Sequence, residues 1–223
     1  MIDQLRIGND FSYEDFDASL KERHIPSPEK KSIKDTVPFS NLTYDFSTIN
    51  GEAYWEERKL EYVFEISADT PEELEEKKRK FLAWIMFIQE AEIHDPFING
   101  YHFKGTFDSI KVDDSEIEKS TITVTFSAYP YLIANTETSY VIAIEAGEEK
   151  TVNILNSSVH KIIPTLQTTT ALVINKGNFS FAVPSGTMYD EAFEFLPGKN
   201  VLAIKNSGAE KCTLTVTFRV EVM

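Results

Sequence analysis

Two histidines and an aspartate lie close together in the stretch "HDPFINGYH" and have side chains that could bind a metal ion. His94, Asp95 and His102 would supply two imidazole nitrogens and a carboxylate oxygen, a set that suits zinc or iron. Their spacing fits neither the HxxxH pattern of a metal-binding helix nor a zinc finger. Asn99-Gly100 instead indicates a turn between two strands, so we predict no metal here.

An acidic run offers oxygen ligands of the kind that calcium prefers. Asp113, Asp114, Glu116 and Glu118 lie within six positions of one another in the sequence, roughly half the length of an EF-hand loop, but they lack its glycine and its alternating ligands. We therefore predict a solvated acidic turn between two strands at this position.

A serine pair followed by a histidine is the arrangement closest to a hydrolase site. Ser157, Ser158 and His160 occur in "NSSVHK", but no GxSxG elbow accompanies them. Neither GxGxxG nor GxxxxGK[ST] occurs anywhere, so no dinucleotide or nucleotide site is signalled. The sequence predicts no catalytic residue and no cofactor, and a small hydrolase remains only an alternative.

Cys212 is the only cysteine, which excludes an intramolecular disulfide and any multi-cysteine metal motif. It alternates with Leu214, Val216 and Phe218 on one face of a predicted strand, which indicates a buried structural thiol.

The composition is that of a folded and acidic protein. The chain has 223 residues, enough for two domains, and its net charge of -14 repels phosphate backbones. We expect no sequence-specific nucleic acid as a partner. The longest apolar stretch, residues 81–88, is far shorter than the roughly 20 residues that cross a bilayer, so we also expect no membrane insertion.

The charged stretch "SADTPEELEEKKRKFLAWIMF" contains one strongly specified helix. Thr70, Pro71 and Glu73 form an N-terminal capping signature. Apolar residues then recur at helical spacing, at Leu74, Phe81, Leu82, Ile85 and Ile88. On the other face, acids precede bases by four residues, as in Glu73 and Lys77. These charges predict a helix that covers a sheet, rather than a catalytic site.

Most of the remaining chain shows β patterns. Leu60, Tyr62, Phe64 and Ile66 alternate with mostly polar residues, as in a half-buried strand. Residues 1–40, by contrast, show little apolar periodicity and contain Pro26, Pro28 and Pro38, the pattern of an extended arm with little core of its own.

Short strands follow residue 134 as far as the C-terminus. We predict hairpins around Gly147 and Gly177 and a compact antiparallel β-sandwich. The fold class is therefore mainly β: an N-terminal α+β domain over residues 1–134, with an antiparallel sheet and one capped helix, and a C-terminal antiparallel β-sandwich over residues 135–223.

A carbohydrate-binding module is the first alternative function, because a β-sandwich can hold sugar on an aromatic platform. Tyr189, Phe193 and Phe195 are the aromatic candidates in the C-terminal half. The alternation of the two phenylalanines, however, predicts that they point inward.

The order of several short motifs resembles the distal tail protein (Dit) family of long-tailed phages and prophages. The matching motifs are a "DFS" strand end, a "Y..R" lead into a strand, a capped helix and an aromatic "F...PY" strand. The residues that occupy the matching places are Tyr44, Asp45, Phe46, Tyr54, Arg58, Phe126, Pro130 and Tyr131. The chain has "PFSN" where relatives commonly have a glycine-containing turn.

This resemblance implies a non-enzymatic structural hub protein at the virion tail tip, made in the bacterial host cytoplasm. In that family the N-terminal domains form a homo-hexameric ring and galectin-like β-sandwich domains project outward. The implied partners are the tail tube protein, the tail-associated fibre or lysin protein and the tape-measure protein. From the extended character of the proline-containing arm, we expect Pro26, Pro28 and Pro38 to lie on a segment that contacts a neighbouring subunit.

Overall fold

The computed structural model describes residues 3–36, 39, 41, 43–47, 53–114 and 116–223, with the backbone alone for residues 43–45. The chain divides into two compact units: residues 1–132 with Met223, and residues 133–222. The expected fold class, mainly β with one helix, is confirmed. Among the described residues, no helix has the length and apolar character that a bilayer span requires.

Among its described residues the first unit has nine strands and one helix, and the chain divides between the two units within a tenth strand, β10 (Leu132–Ala134). The elements of the first unit are β1 (Arg6–Ile7), β2 (Asp10–Phe11), β3 (Ser19–His24), β4 (Lys34–Thr36), β5 (Thr43–Asp45), β6 (Arg58–Ser67), α1 (Pro71–Met86), β7 (Ala91–His94), β8 (Tyr101–Asp113) and β9 (Lys119–Ala128).

An antiparallel sheet in the order β2-β1-β7-β8-β9-β6-β3 organises this unit. On β6 the alternating residues Leu60, Tyr62, Phe64 and Ile66 are fully buried, as the pattern predicts. The facing residues of β9 are buried with them, so one face of the sheet carries the core.

The N-terminal segment contributes more to the core than the sequence indicates. Leu5, Ile7, Ala18 and Leu20 are all buried in the core cluster, so the prediction that this segment has little core of its own is wrong for residues 3–24. Strands β1 and β2 have two residues each, too few for an alternating pattern to be visible. Strand β1 pairs with β7, and β3 pairs with β6, so strands distant in sequence hold the N-terminal segment in the sheet.

Helix α1 begins as the capping signature predicts. Thr70 has extended backbone angles, and its hydroxyl accepts a hydrogen bond from the Glu73 backbone N–H at 3.2 Å. Leu74, Phe81 and Ile85 are buried against the sheet. The stripe thus covers the apolar face of the sheet. Most charged side chains of the helix are exposed, whereas that of Lys78 is buried.

The second unit is an eight-stranded sandwich. Its strands are β11 (Thr138–Ile144), β12 (Glu149–Asn156), β13 (Thr165–Thr168), β14 (Leu172–Lys176), β15 (Phe179–Val183), β16 (Gly186–Met188), β17 (Gly198–Lys205) and β18 (Cys212–Phe218), followed by β19 (Glu221–Val222). One sheet has the order β11-β18-β13-β16 and the other β12-β17-β14-β15. The first strand of the sandwich pairs with the eighth, the second with the seventh, the third with the sixth and the fourth with the fifth. This nested pairing is the strand arrangement of a jelly roll.

The jelly roll corrects one of the two predicted hairpins. Strands β14 and β15 pair across Gly177, whose φ of 60° suits the tight turn, and that hairpin is confirmed. Strands β11 and β12 flank Gly147 but pair with β18 and β17 in different sheets, so the hairpin predicted there is wrong. Both turns contain a glycine with a positive φ angle, but at Gly147 the chain crosses from one sheet to the other.

Candidate functional site

A two-stranded extension, which we call the ribbon, follows the edge strand β3. It comprises the described residues among 25–57. Strands β4 and β5 pair within it, and the Lys31 N–H donates to the Tyr54 carbonyl at 2.8 Å. The Glu56 N–H donates to the Glu29 carbonyl at 2.8 Å, which continues the pairing to the base. The proline-containing segment is therefore half of an antiparallel ribbon rather than a single extended arm.

Large apolar side chains on the ribbon are exposed. Ile33 is 51% exposed, Phe46 39% and Tyr54 44%, and Phe39 is fully exposed. Phe39 also has a φ of 64°, in the left-handed region that a bulky residue rarely adopts. Apolar surface concentrated on an extension of this kind is typical of a protein–protein contact.

Arg58 lies at the base of the ribbon and links it by hydrogen bonds to Pro130. Its side chain is buried, and its Nε–H donates to the Pro130 carbonyl at 2.6 Å while an Nη–H donates to the same oxygen. The guanidinium lies 5.4 Å from the centre of the Phe103 ring, a cation–π contact. Burial lowers the pKa of Arg58 from its ordinary value, and the carbonyl and ring compensate the buried charge.

The motif residues that suggested a distal tail protein fall into two groups. Arg58, Phe126, Pro130 and Tyr131 are buried, with Pro130 bonded to Arg58 and Phe126 in the core. Phe46 and Tyr54 lie on the ribbon, as do Tyr44 and Asp45 on β5, whose side chains are outside the described residues.

The predicted interface prolines lie near the base of the ribbon where they are described. Pro26 and Pro28 are half-buried and line a shallow groove with Ile25, Trp55 and Arg58. Pro38 lies outside the described residues. The role of these prolines in subunit contact stays a prediction.

Asp95 does not join the two histidines with which it was grouped. Its carboxylate is fully buried, contacts Arg23 at 2.9 Å and accepts from the Phe97 N–H at 2.8 Å. The Tyr62 hydroxyl lies 3.4 Å from the same carboxylate. Burial first, and then the charge of Asp95, raise the pKa of Tyr62 well above its ordinary value, so its hydroxyl stays protonated.

Glu92 takes the place that the sequence assigned to Asp95. One carboxylate oxygen of Glu92 lies 3.2 Å from His94 Nε2, and the other lies 3.7 Å from His102 Nε2. The ring centres of His94 and His102 are 5.0 Å apart. Residues two apart on a strand share a face, so the position of Glu92 in β7 was the signal that could have identified it.

The acidic turn after β8 is tied to the helix. Asp114 contacts the Lys78 ammonium at 2.9 Å and accepts from the Ser120 hydroxyl at 2.7 Å. The Ser120 hydrogen bond, followed by Lys78, lowers the pKa of Asp114. Burial alone lowers the pKa of Lys78, but its bonds to Glu75 and Asp114 outweigh this and raise it. This network anchors the turn, a role that the sequence did not indicate.

The residues behind the hydrolase alternative have structural contacts. The Ser158 hydroxyl accepts from the Glu221 N–H at 2.9 Å. The two ring nitrogens of His160 lie 2.6 Å from the Lys161 carbonyl and 2.8 Å from the Glu221 carboxylate. These contacts tie residues 158–161 to β19.

The aromatic candidates for sugar binding do not form a platform. Phe193 and Phe195 are buried in the sandwich core, as their alternation predicts, whereas Tyr189 is 63% exposed. Cys212 is also fully buried, with its sulfur 3.0 Å from the Thr168 hydroxyl, as expected of a structural thiol.

No protein-family model matches the chain, and no curated protein matches it by sequence. Solved structures do match. SPP1 Dit, described as a paradigm of the hub adsorption apparatus in phages that infect Gram-positive bacteria, aligns with a TM-score of 0.71. The alignment covers 98% of this chain and 99% of that one at 11% identity. The chain has the fold of SPP1 Dit.

The Dit fold thus extends over both units, and the fold that the motif order implied is confirmed. A chain of the phage P2 baseplate in its activated conformation with Ca also aligns, over 97% of this chain and 98% of that one, at 8% identity and a TM-score of 0.43.

Proposed function

We propose that the chain is a structural hub protein of a phage tail tip. The single observation that carries the proposal is the end-to-end likeness to SPP1 Dit, a hub protein by its description. The order of the family motifs along the sequence supports it independently. In this role the protein joins the tail tube to a tail-associated fibre or lysin protein and acts without catalysis.

The first unit forms a homo-hexameric ring in this proposal, with the ribbon as the contact to the next subunit. The support is geometric: the ribbon extends from the edge of the sheet and exposes Ile33, Phe39, Phe46 and Tyr54. A ring requires a heterologous contact between two different patches of the same chain. An extension of this kind provides contact area without a core of its own.

The test is the oligomeric state of the purified full chain, measured by native mass spectrometry and negative-stain imaging. We expect six-fold rings, and we expect the double variant Ile33→Ser with Phe39→Ser to give folded monomers. The matched control is Ile117→Ser, which removes an apolar side chain 77% exposed elsewhere in the same unit. A monomeric wild type at high concentration, or rings unaffected by the ribbon variant, would contradict the proposal.

Deletion of residues 20–36 is a poorer test. It removes half of the ribbon and also most of β3. The β3 residues lost include the buried Leu20 and Arg23, which is the ion-pair partner of Asp95. Loss of rings in that deletion would therefore not distinguish a lost contact from a damaged fold.

The ring leaves a channel for the tape-measure protein and for DNA. The net charge of -14 supports a channel wall that repels DNA, so that it passes without adhering. Changing acidic channel residues to lysine in the assembled phage should slow DNA ejection. An unchanged ejection rate would count against this role of the charge.

A further inference from the structure

We propose that Glu92, His94 and His102 form a binding site for a divalent transition-metal ion, of which Zn²⁺ is the representative. The site lies in the sheet of the first unit and is independent of the proposed hub function. Its donors are one nitrogen of each imidazole and a carboxylate oxygen, all within 4.8 Å of one another.

The sheet itself brings the donors together. Ile93 of β7 pairs with Phe103 of β8, so the same register places His94 opposite His102. Glu92 lies two residues before His94 on the same strand and therefore on the same face. Because the three side chains come from two paired strands, the hydrogen-bonded backbone of the sheet keeps them near one another, and no loop has to move to bring them together.

The distances are near those that a tetrahedral ion needs. Zinc–ligand bonds of about 2.0 Å place neighbouring donor atoms about 3.3 Å apart. His94 Nε2 lies 3.2 Å from one carboxylate oxygen of Glu92 and His102 Nε2 lies 3.7 Å from the other, so a rotation of the carboxylate brings one oxygen, or both, to an ion held by the two imidazoles. The chemistry of the set, imidazole with one carboxylate, suits zinc, nickel or cobalt rather than calcium or magnesium.

The site combines buried donors with an open side. The His102 side chain is 3% exposed and His94 is 13% exposed, whereas Glu92 is 50% exposed. The buried imidazoles are held in place by their surroundings, and an ion enters from the Glu92 side. A water molecule completes the coordination, as in other three-ligand sites.

Arg6 is the group with which a metal ion would compete. It pairs with His94 in the register of β1 and β7, and its Nη2–H donates to His94 Nε2 at 2.7 Å. The guanidinium thus occupies the lone pair that the metal requires and places a positive charge beside it. Metal binding displaces this guanidinium toward solvent, so Arg6 lowers the affinity of the site.

The experiment uses the full chain without a polyhistidine tag, freed of metal by a chelator and titrated with Zn²⁺ by calorimetry. We expect one ion per chain, and a rise in the melting temperature with added Zn²⁺. Glu92→Gln and His94→Gln should each weaken the affinity by at least about tenfold, and Arg6→Gln should strengthen it. Because Glu92 is half-exposed, its variant should fold even if a histidine variant does not.

His160→Gln is the matched control, since it removes an imidazole paired with a carboxylate in the other unit. It should leave the affinity unchanged. Absence of saturable binding, equal affinity in wild type and Glu92→Gln, loss of binding in the control, or no gain in Arg6→Gln would overturn the proposal.

Discussion

At the scale of single residues, the decisive feature is how the first unit compensates charges that its sheet buries. The Asp95 carboxylate forms an ion pair with Arg23 and hydrogen bonds with the Phe97 N–H and the Tyr62 hydroxyl. The Arg58 guanidinium donates to the Pro130 carbonyl and lies against the Phe103 ring. Of these groups, the sequence offered Asp95 as a candidate metal ligand. Their partners show that they stabilise the fold.

Removing Arg23 should therefore leave the buried carboxylate of Asp95 without its countercharge. We expect Arg23→Gln to lower the free energy of unfolding by about 2 kcal/mol, measured by urea denaturation. Lys21→Gln is the control, because Lys21 pairs with Glu65 at the surface and such pairs contribute about 0.5 kcal/mol. Equal losses in the two variants would show that Asp95 does not depend on Arg23.

Asp114 should contribute to stability in a defined range of pH. Its pKa is lowered from 3.8 in the folded state, so its contribution is present above pH 3.8 and is lost as the pH falls through the lower folded value. We expect Asp114→Asn to flatten the acid side of a plot of melting temperature against pH. Glu116→Gln, in the same turn, is the control and should leave that slope unchanged; a slope equal to wild type in Asp114→Asn would refute the assignment.

At the scale of elements, local signals and long-range pairing determine different parts of the structure. Helix α1 is encoded by its cap and its apolar stripe, which act within a few residues. The ribbon and the jelly roll depend on which strand meets which, and a turn between two strands does not decide that. Gly147 and Gly177 both have positive φ angles, yet only the second joins two paired strands.

The cap of α1 gives a test at this scale. Thr70→Ala removes the oxygen that accepts from the Glu73 N–H, and we expect a loss of about 1 kcal/mol in unfolding free energy. Thr70→Ser retains the oxygen and should stay close to wild type. Thermal unfolding followed by circular dichroism distinguishes them, and the cap would be irrelevant if both variants lost the same stability.

At the scale of the whole molecule, the excess of acidic residues should exclude nucleic acid from the surface in general. With a net charge of -14, the purified protein should leave the mobility of double-stranded DNA unchanged even at low salt, where attraction is strongest. A gel-shift assay beside a basic control protein measures this. A retarded band that disappears as salt is added would reveal a basic patch that the net charge conceals.

The sequence by itself determined the features that depend on neighbours along the chain. These are the capped helix, the alternating strand β6, the buried face of β18 and the mainly β class. Capping and alternation are written in adjacent residues, because a helix repeats every 3.6 residues and a strand every two. The motif order also led to the fold that SPP1 Dit shares.

Only the tertiary structure decided which distant residues meet. It joined Arg58 to Pro130, 72 positions later, and placed Glu92 rather than Asp95 beside the two histidines. It folded the proline-containing segment into a ribbon and sent β11 and β12 to different sheets. Strand partners are selected by burying a common core, and that free energy belongs to the whole unit and not to any short stretch of sequence.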